Sequence, residues 1–215
     1  MAFAHAVKNS SAYKNYAFDV SVSNCGESDT EGSYMVGVGF GDILISNINV
    51  TNNKCDKYSS IRCIDEGSSG TCNFSTFREN NQTSTASLSF AINADVSYCN
   101  VIGNRCGTDK DQVLFVCEST TNVDHCIFLN NTAKYMFYIA RENCDLTISD
   151  SYVDINTTYG EKEVIFENLT ENYDFNKFTQ IDTVKCLIEQ KEITIEISYL
   201  SKFVKSVSPS LLSST

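Results

Sequence analysis

The sequence predicts an all-β fold, a right-handed, single-stranded parallel β-helix solenoid of about six coils with three short strands per coil. Three observations lead there. A short motif recurs along the chain, a second β-rich run fills the space between its copies, and proline is almost missing. The motif is an apolar residue, two residues, a small or apolar residue, one residue, an apolar residue, two residues and Asn. It reads Ile45-x-x-Ile48-x-Val50-x-x-Asn53, then Cys72-x-x-Ser75-x-Phe77-x-x-Asn80. Val96-x-x-Cys99-x-Val101-x-x-Asn104, Val123-x-x-Cys126-x-Phe128-x-x-Asn131 and Ile148-x-x-Ser151-x-Val153-x-x-Asn156 follow. The Asn positions lie 27, 24, 27 and 25 residues apart, and a degenerate earlier copy has Val20, Val22 and Cys25 in the Asn place.

A period of this size suits either a leucine-rich repeat or a parallel β-helix. The remainder of each repeat decides between them. It holds Tyr34-Met35-Val36-Gly37-Val38, Leu88-Ser89-Phe90-Ala91-Ile92, Val113-Leu114-Phe115-Val116-Cys117 and Met136-Phe137-Tyr138-Ile139. These runs have the length and the β-branched or aromatic content of strands, with no 3.6-residue periodicity. The single proline among 215 residues agrees, because proline removes ladder hydrogen bonds from central strands.

One coil traces from residue 112 to 131. Val113, Phe115 and Cys117 are expected to point inward, then Val123 after a bend at Glu118-Ser119-Thr120. Cys126 and Phe128 follow a second bend at Asp124-His125, and the chain turns out at Asn131. Stacked coils then build columns. One is Ile48, Ser75, Cys99, Cys126 and Ser151; the other is Val50, Phe77, Val101, Phe128 and Val153. Asn tolerates left-handed backbone angles, so Asn53, Asn80, Asn104, Asn131 and Asn156 are expected to make the turn and pass amide hydrogen bonds up a ladder. Of ten cysteines, Cys63, Cys72, Cys99, Cys117 and Cys126 fall at inward positions, where cysteine acts as a small buried hydrophobe. Cys99 and Cys126 sit on neighbouring coils about 4.8 Å apart, as a disulfide or a free-thiol pair. Cys55 and Cys106 are two coils apart, too far to pair.

The repeat bounds the organisation. Residues 1–16 carry no copy and read as an irregular N-terminal arm or cap, and 17–170 as the β-helix. Residues 171–200, with Ile193, Ile195 and Ile197 alternating with polar neighbours, read as a C-terminal cap, and 201–215 as a Ser-rich tail or the start of a linker. The net charge of −11 argues against a nucleic-acid partner, whose phosphates need clustered Lys and Arg. No apolar run reaches the length of a membrane span, and Met1 to Val7 does not resemble a signal peptide. Seven Asn-x-Ser/Thr sequons, at Asn9, Asn49, Asn73, Asn81, Asn130, Asn156 and Asn168, fit an extracellular chain.

Phe77-x-x-Asn80 and Phe128-x-x-Asn131, with Val in the Phe place at Val50, Val101 and Val153, resemble the FxxN repeats of chlamydial polymorphic membrane proteins and of trichomonad surface-protein families. The resemblance covers about residues 17 to 170. It implies a pectin-lyase-like β-helix displayed at a cell surface or secreted, and an adhesive role towards a host or cell-surface protein or glycan. The chain departs from the bacterial pattern in lacking the GGA[ILV] motif.

Many β-helices of this type cleave polysaccharides, so a carbohydrate-active enzyme is the rival expectation, and a purely structural fragment a third. Catalysis there needs outward carboxylates on adjacent coils with a cation in reach. Asp65-Glu66 and Asp109-x-Asp111 read as ordinary surface charge, and Arg62, Arg78, Arg105 and Arg141 do not align with an acidic cluster. His125 beside Cys126 is not a catalytic dyad, because bend and inward column point to opposite sides. Gly37-Val38-Gly39-Phe40-Gly41 precedes no helix, so it is no phosphate loop. The sequence therefore names no catalytic residue, cofactor or metal ligand, and the expectation is a monomeric, non-catalytic binding solenoid.

Overall fold

The structure, a computed structural model, describes residues 3–8, 10, 12–26, 34–64, 69–83, 86–107 and 112–176. Every strand pairing among them is parallel, and the chain climbs about five turns of a β-solenoid with three strands per coil. The first sheet stacks Phe3–Ala6, Tyr34–Gly39, Tyr58–Ile64, Ala86–Phe90, Val113–Cys117, Tyr135–Ile139 and Thr158–Gly160. The second stacks Lys14–Phe18, Asp42–Ser46, Ser69–Asn73, Asn93–Ser97, Thr121–Asp124, Leu146–Ser149 and Ile165–Glu167. The third runs from Ser21–Ser23 through Asn49–Thr51, Thr76–Arg78, Asn100–Ile102 and Ile127–Leu129 to Tyr152–Val153. A fourth, two residues wide, joins Lys54–Cys55, Asn81–Gln82 and Arg105–Cys106.

Register follows the motif. Val22, Val50, Phe77, Val101, Phe128 and Val153 are direct partners in the third sheet, each one coil from the next. In the first sheet Val36, Ile61, Leu88, Phe115 and Phe137 stack in the same way. Both columns point into one continuous core, where Phe115 packs against Phe90, Phe128 and Phe137 with ring centroids 5.3, 6.2 and 6.3 Å away.

Val113 departs from the inward placement expected of it. Leu114 and Phe115 both join the main core, which turns Val113 to the outer side. There it forms a second apolar cluster with Tyr58, Ala86 and Val116, flanked by Tyr34, Tyr135 and Tyr138. The Arg62 guanidinium lies 4.4 Å from the Tyr58 ring centroid and helps cover this patch. Gly37 belongs beneath it: a Cβ there would come within 2.2 Å of the Tyr34 ring, so the glycine serves packing.

The N-terminal boundary also moves. Within the segment expected to be an irregular arm or cap, Phe3–Ala6 and the start of Lys14–Phe18 are strands that pair in parallel with the next coil. That coil hides its pattern by burying a polar side chain. Asn15 is fully buried and donates from Nδ2 to the Gly39 carbonyl at 2.7 Å. The Ile193–Ile197 strand, the cap beyond residue 176, the 201–215 tail, Asp65-Glu66 and Asp109-x-Asp111 lie outside the described residues.

The corner between the second and third sheets uses a side-chain ladder of its own. Ser75 Oγ accepts from the Ile48 amide at 3.2 Å, Cys126 Sγ from the Cys99 amide at 3.3 Å, and Ser151 Oγ from the Cys126 amide at 2.9 Å. Each Oγ or Sγ also contacts the carbonyl two residues back: Ser75 to Asn73, Cys99 to Ser97, Cys126 to Asp124 and Ser151 to Ser149. Cys99 and Cys126 therefore stand in for serine and are free thiols, more than the small hydrophobes expected there. Cys126→Ser is expected to leave stability within about 0.5 kcal/mol, whereas Cys126→Ala, which strands the buried Cys99 amide, costs about 1–3 kcal/mol. Urea unfolding of the two variants separates these outcomes.

Burial pushes the Cys63 and Cys106 thiols up from 9.0 to about 12. Below pH 9 folded and unfolded chains both keep them protonated. Above it the unfolded chain ionises and the folded one does not, so stability falls as pH rises from 9 towards about 12. Thermal melts on either side of pH 9 should show this loss, and Cys63→Ala should make it shallower.

Candidate ligand-binding groove

The outer wall of the solenoid is positioned from inside by the asparagine ladder. Asn53 Nδ2 donates to Asn80 Oδ1 at 3.0 Å, Asn80 Nδ2 to Asn104 Oδ1 at 3.0 Å, and Asn104 Nδ2 to Asn131 Oδ1 at 3.1 Å. The same Oδ1 atoms accept the backbone amides of Asn53, Asn80 and Asn104, and Asn53 Oδ1 accepts that of Cys25. Each Nδ2 also reaches the carbonyl of the inward residue one coil back: Val22, Val50, Phe77 and Val101 in turn. All four side chains are buried, and the side-chain oxygen and Nδ2 of each find partners within the protein.

Two expectations about this turn need correction. The left-handed residue is the one before the ladder position: Asn24, Asn52, Glu79 and Asn130, at φ between 53° and 55°, and Gly103 at 64°. The ladder asparagines are selected for their amide. Asn156, in turn, is exposed and outside the ladder. The strand Thr158–Gly160 begins two residues after it, which leaves no room for the two-residue strand that follows Asn53, Asn80 and Asn104.

Outside the ladder, each coil presents its left-handed residue and the residue after the ladder Asn. Lys54, Asn81, Arg105 and Thr132 occupy one column by direct register. With Asn52, Glu79, Gly103 and Asn130 they line a half-open groove of about 540 Å³ along the solenoid axis. Glu79 Oε1 accepts from Arg78 Nε at 2.9 Å and Nη2 at 2.8 Å, which neutralises the one acid of the lining. No described acidic residue pairs with Lys54 or Arg105. Asp154, accepting from the Asn130 amide at 2.5 Å, marks the far end.

A smaller recess of about 320 Å³ lies over the second sheet, lined by Asp42, Thr71, Asn93, Asp95 and Asn122 among others. Its carboxylates are engaged. Lys14 holds Asp42 at 2.5 Å and lowers its pKa by that hydrogen bond, and Asn122 Nδ2 donates to Asp95 at 3.0 Å.

At the corner carrying the serine–cysteine ladder, Phe74, Tyr98 and His125 all have left-handed backbones and stack outward. Phe74 and Tyr98 are 5.3 Å apart, Tyr98 and His125 5.0 Å. His125 Nδ1 lies 2.7 Å from Asp124 Oδ2, and Asp150 joins them, a grouping that separate reading of each residue missed. Its signal was positional, since Asp150 takes the place of His125 one coil on. Cys126 is buried while His125 is outside, so the two form no dyad.

No family model, curated protein or solved structure matches the chain. Among the described residues, no helix is long and apolar enough to cross a membrane.

Proposed function

We propose that this chain is a non-catalytic β-solenoid, displayed at a cell surface or secreted, whose extended polar face makes adhesive contact with a protein or glycan. The observation that carries the reading is the axial groove from Asn52 to Thr132, in which one turn position recurs on successive coils. Repetition at a fixed rise suits an elongated ligand, and solenoids commonly bind through such faces. The likeness of Phe77-x-x-Asn80 and Phe128-x-x-Asn131 to surface-displayed FxxN repeats supports the same reading. The purified chain should bind immobilised cell-surface glycans or proteins saturably, and Asn81→Trp, which fills the groove, should abolish the binding. Binding unaffected by Asn81→Trp would contradict the assignment.

A carbohydrate-active β-helix is the second reading, favoured by Asp42 and Asp95 in the recess over the second sheet. Its mark is depolymerisation of a polysaccharide that stops when both are changed to Asn.

A further inference from the structure

The axial groove inverts the charge of the molecule that carries it. The chain has 27 acidic and 16 basic residues, yet the free charges in the middle of this groove are both cationic. We infer that it takes a linear acidic glycan with a carboxylate on alternate sugars, Lys54 and Arg105 being the anion-binding positions. The inference rests on the adhesive reading above and names its ligand.

Spacing is the first argument. Lys54 pairs in register with Asn81, and Asn81 with Arg105, so the two cations stand two rungs apart, roughly 9–10 Å along the axis. In an extended chain of equatorially linked sugars, successive residues face opposite ways. A substituent returns to the same side at every second sugar, an advance close to that separation. Arg105 offers a planar fork for a carboxylate, and Lys54 a point charge.

The lining between them is the second argument. Asn81, Asn130 and Thr132 are exposed, and amides and hydroxyls both donate and accept, as sugar hydroxyls require. A polyanion as dense as nucleic acid would meet the −11 net charge with only two free cations to offset it. An extended peptide normally adds to an open strand edge, but along this groove the backbone amides of Lys54, Asn81, Arg105 and Thr132 already donate to the carbonyls of Cys25, Asn53, Asn80 and Asn104.

The test uses the full chain made without N-glycosylation, since Asn81 and Asn130 are themselves sequons. It is titrated with a hexasaccharide alternating uronic acid and N-acetylhexosamine, a neutral 1,4-linked glucan hexamer, and a single-stranded oligonucleotide. The expected result is binding to the acidic hexasaccharide alone, weakened by salt and at least tenfold weaker in Lys54→Gln/Arg105→Gln. Both side chains are exposed, so that variant should unfold as the parent does. Equal binding of the neutral glucan overturns the acidic assignment and leaves the adhesive reading standing. So does binding of a cell-surface protein with no glycan bound. Acidic-glycan binding unchanged in the double variant places the ligand elsewhere and overturns the inference, and tighter binding of the oligonucleotide overturns both.

Discussion

Asn80→Ala is expected to destabilise the solenoid by about 3–5 kcal/mol, read as a lower urea midpoint at unchanged slope. Asn80 sits mid-ladder. Its Oδ1 accepts from the Asn53 amide and side chain at 3.1 and 3.0 Å, and its Nδ2 reaches Val50 O, Ser60 Oγ and Asn104 Oδ1 at 2.8, 3.1 and 3.0 Å. Alanine leaves these buried groups without the amide that met them, and each stranded donor or acceptor costs about 1–3 kcal/mol. Asn80→Asp makes a sharper comparison, since it keeps the acceptor but loses the donor and buries a charge. Asn156→Ala should change stability by less than about 0.5 kcal/mol, because that residue is exposed.

Phe115→Ala is the second large effect, a loss of about 3–5 kcal/mol. The ring is fully buried and contacts the aromatic rings of three different strands. Removing it opens a cavity that neighbours fixed by parallel pairing on both sides cannot collapse to fill. Phe115→Leu should recover most of the loss, and Phe166→Ala, at the partly buried end of the core, should cost less than Phe115→Ala.

The architecture was legible because the repeat encodes two things at once. Apolar residues at fixed offsets specify a face, and a ladder amide specifies where each coil turns. The corner thiols were harder to read. Cysteine looks like a hydrophobe in sequence, and only the stacked geometry aligns Cys99 and Cys126 with Ser75 and Ser151 as hydrogen-bonding groups. The N-terminal coil was missed because its inward residues include Asn15, a polar side chain satisfied by the neighbouring coil. Val113 was misplaced because strict alternation fails where Leu114 and Phe115 both enter the core. The groove was hidden for a different reason. Lys54 and Arg105 are 51 residues apart in sequence and fall on one column, either side of Asn81, only through register.

Everything proposed for the outer surface depends on the inner ladder holding the coils in register. Exchange of the asparagine side-chain amide protons, followed residue by residue by NMR, tests this most directly. The Nδ2 protons of Asn53, Asn80 and Asn104 should exchange only with global unfolding, as slowly as the core backbone amides, while those of exposed Asn130 and Asn156 exchange at solvent rates. Solvent-rate exchange at Asn80 and Asn104 would contradict the ladder, and with it the alignment of Lys54 and Arg105 along one groove.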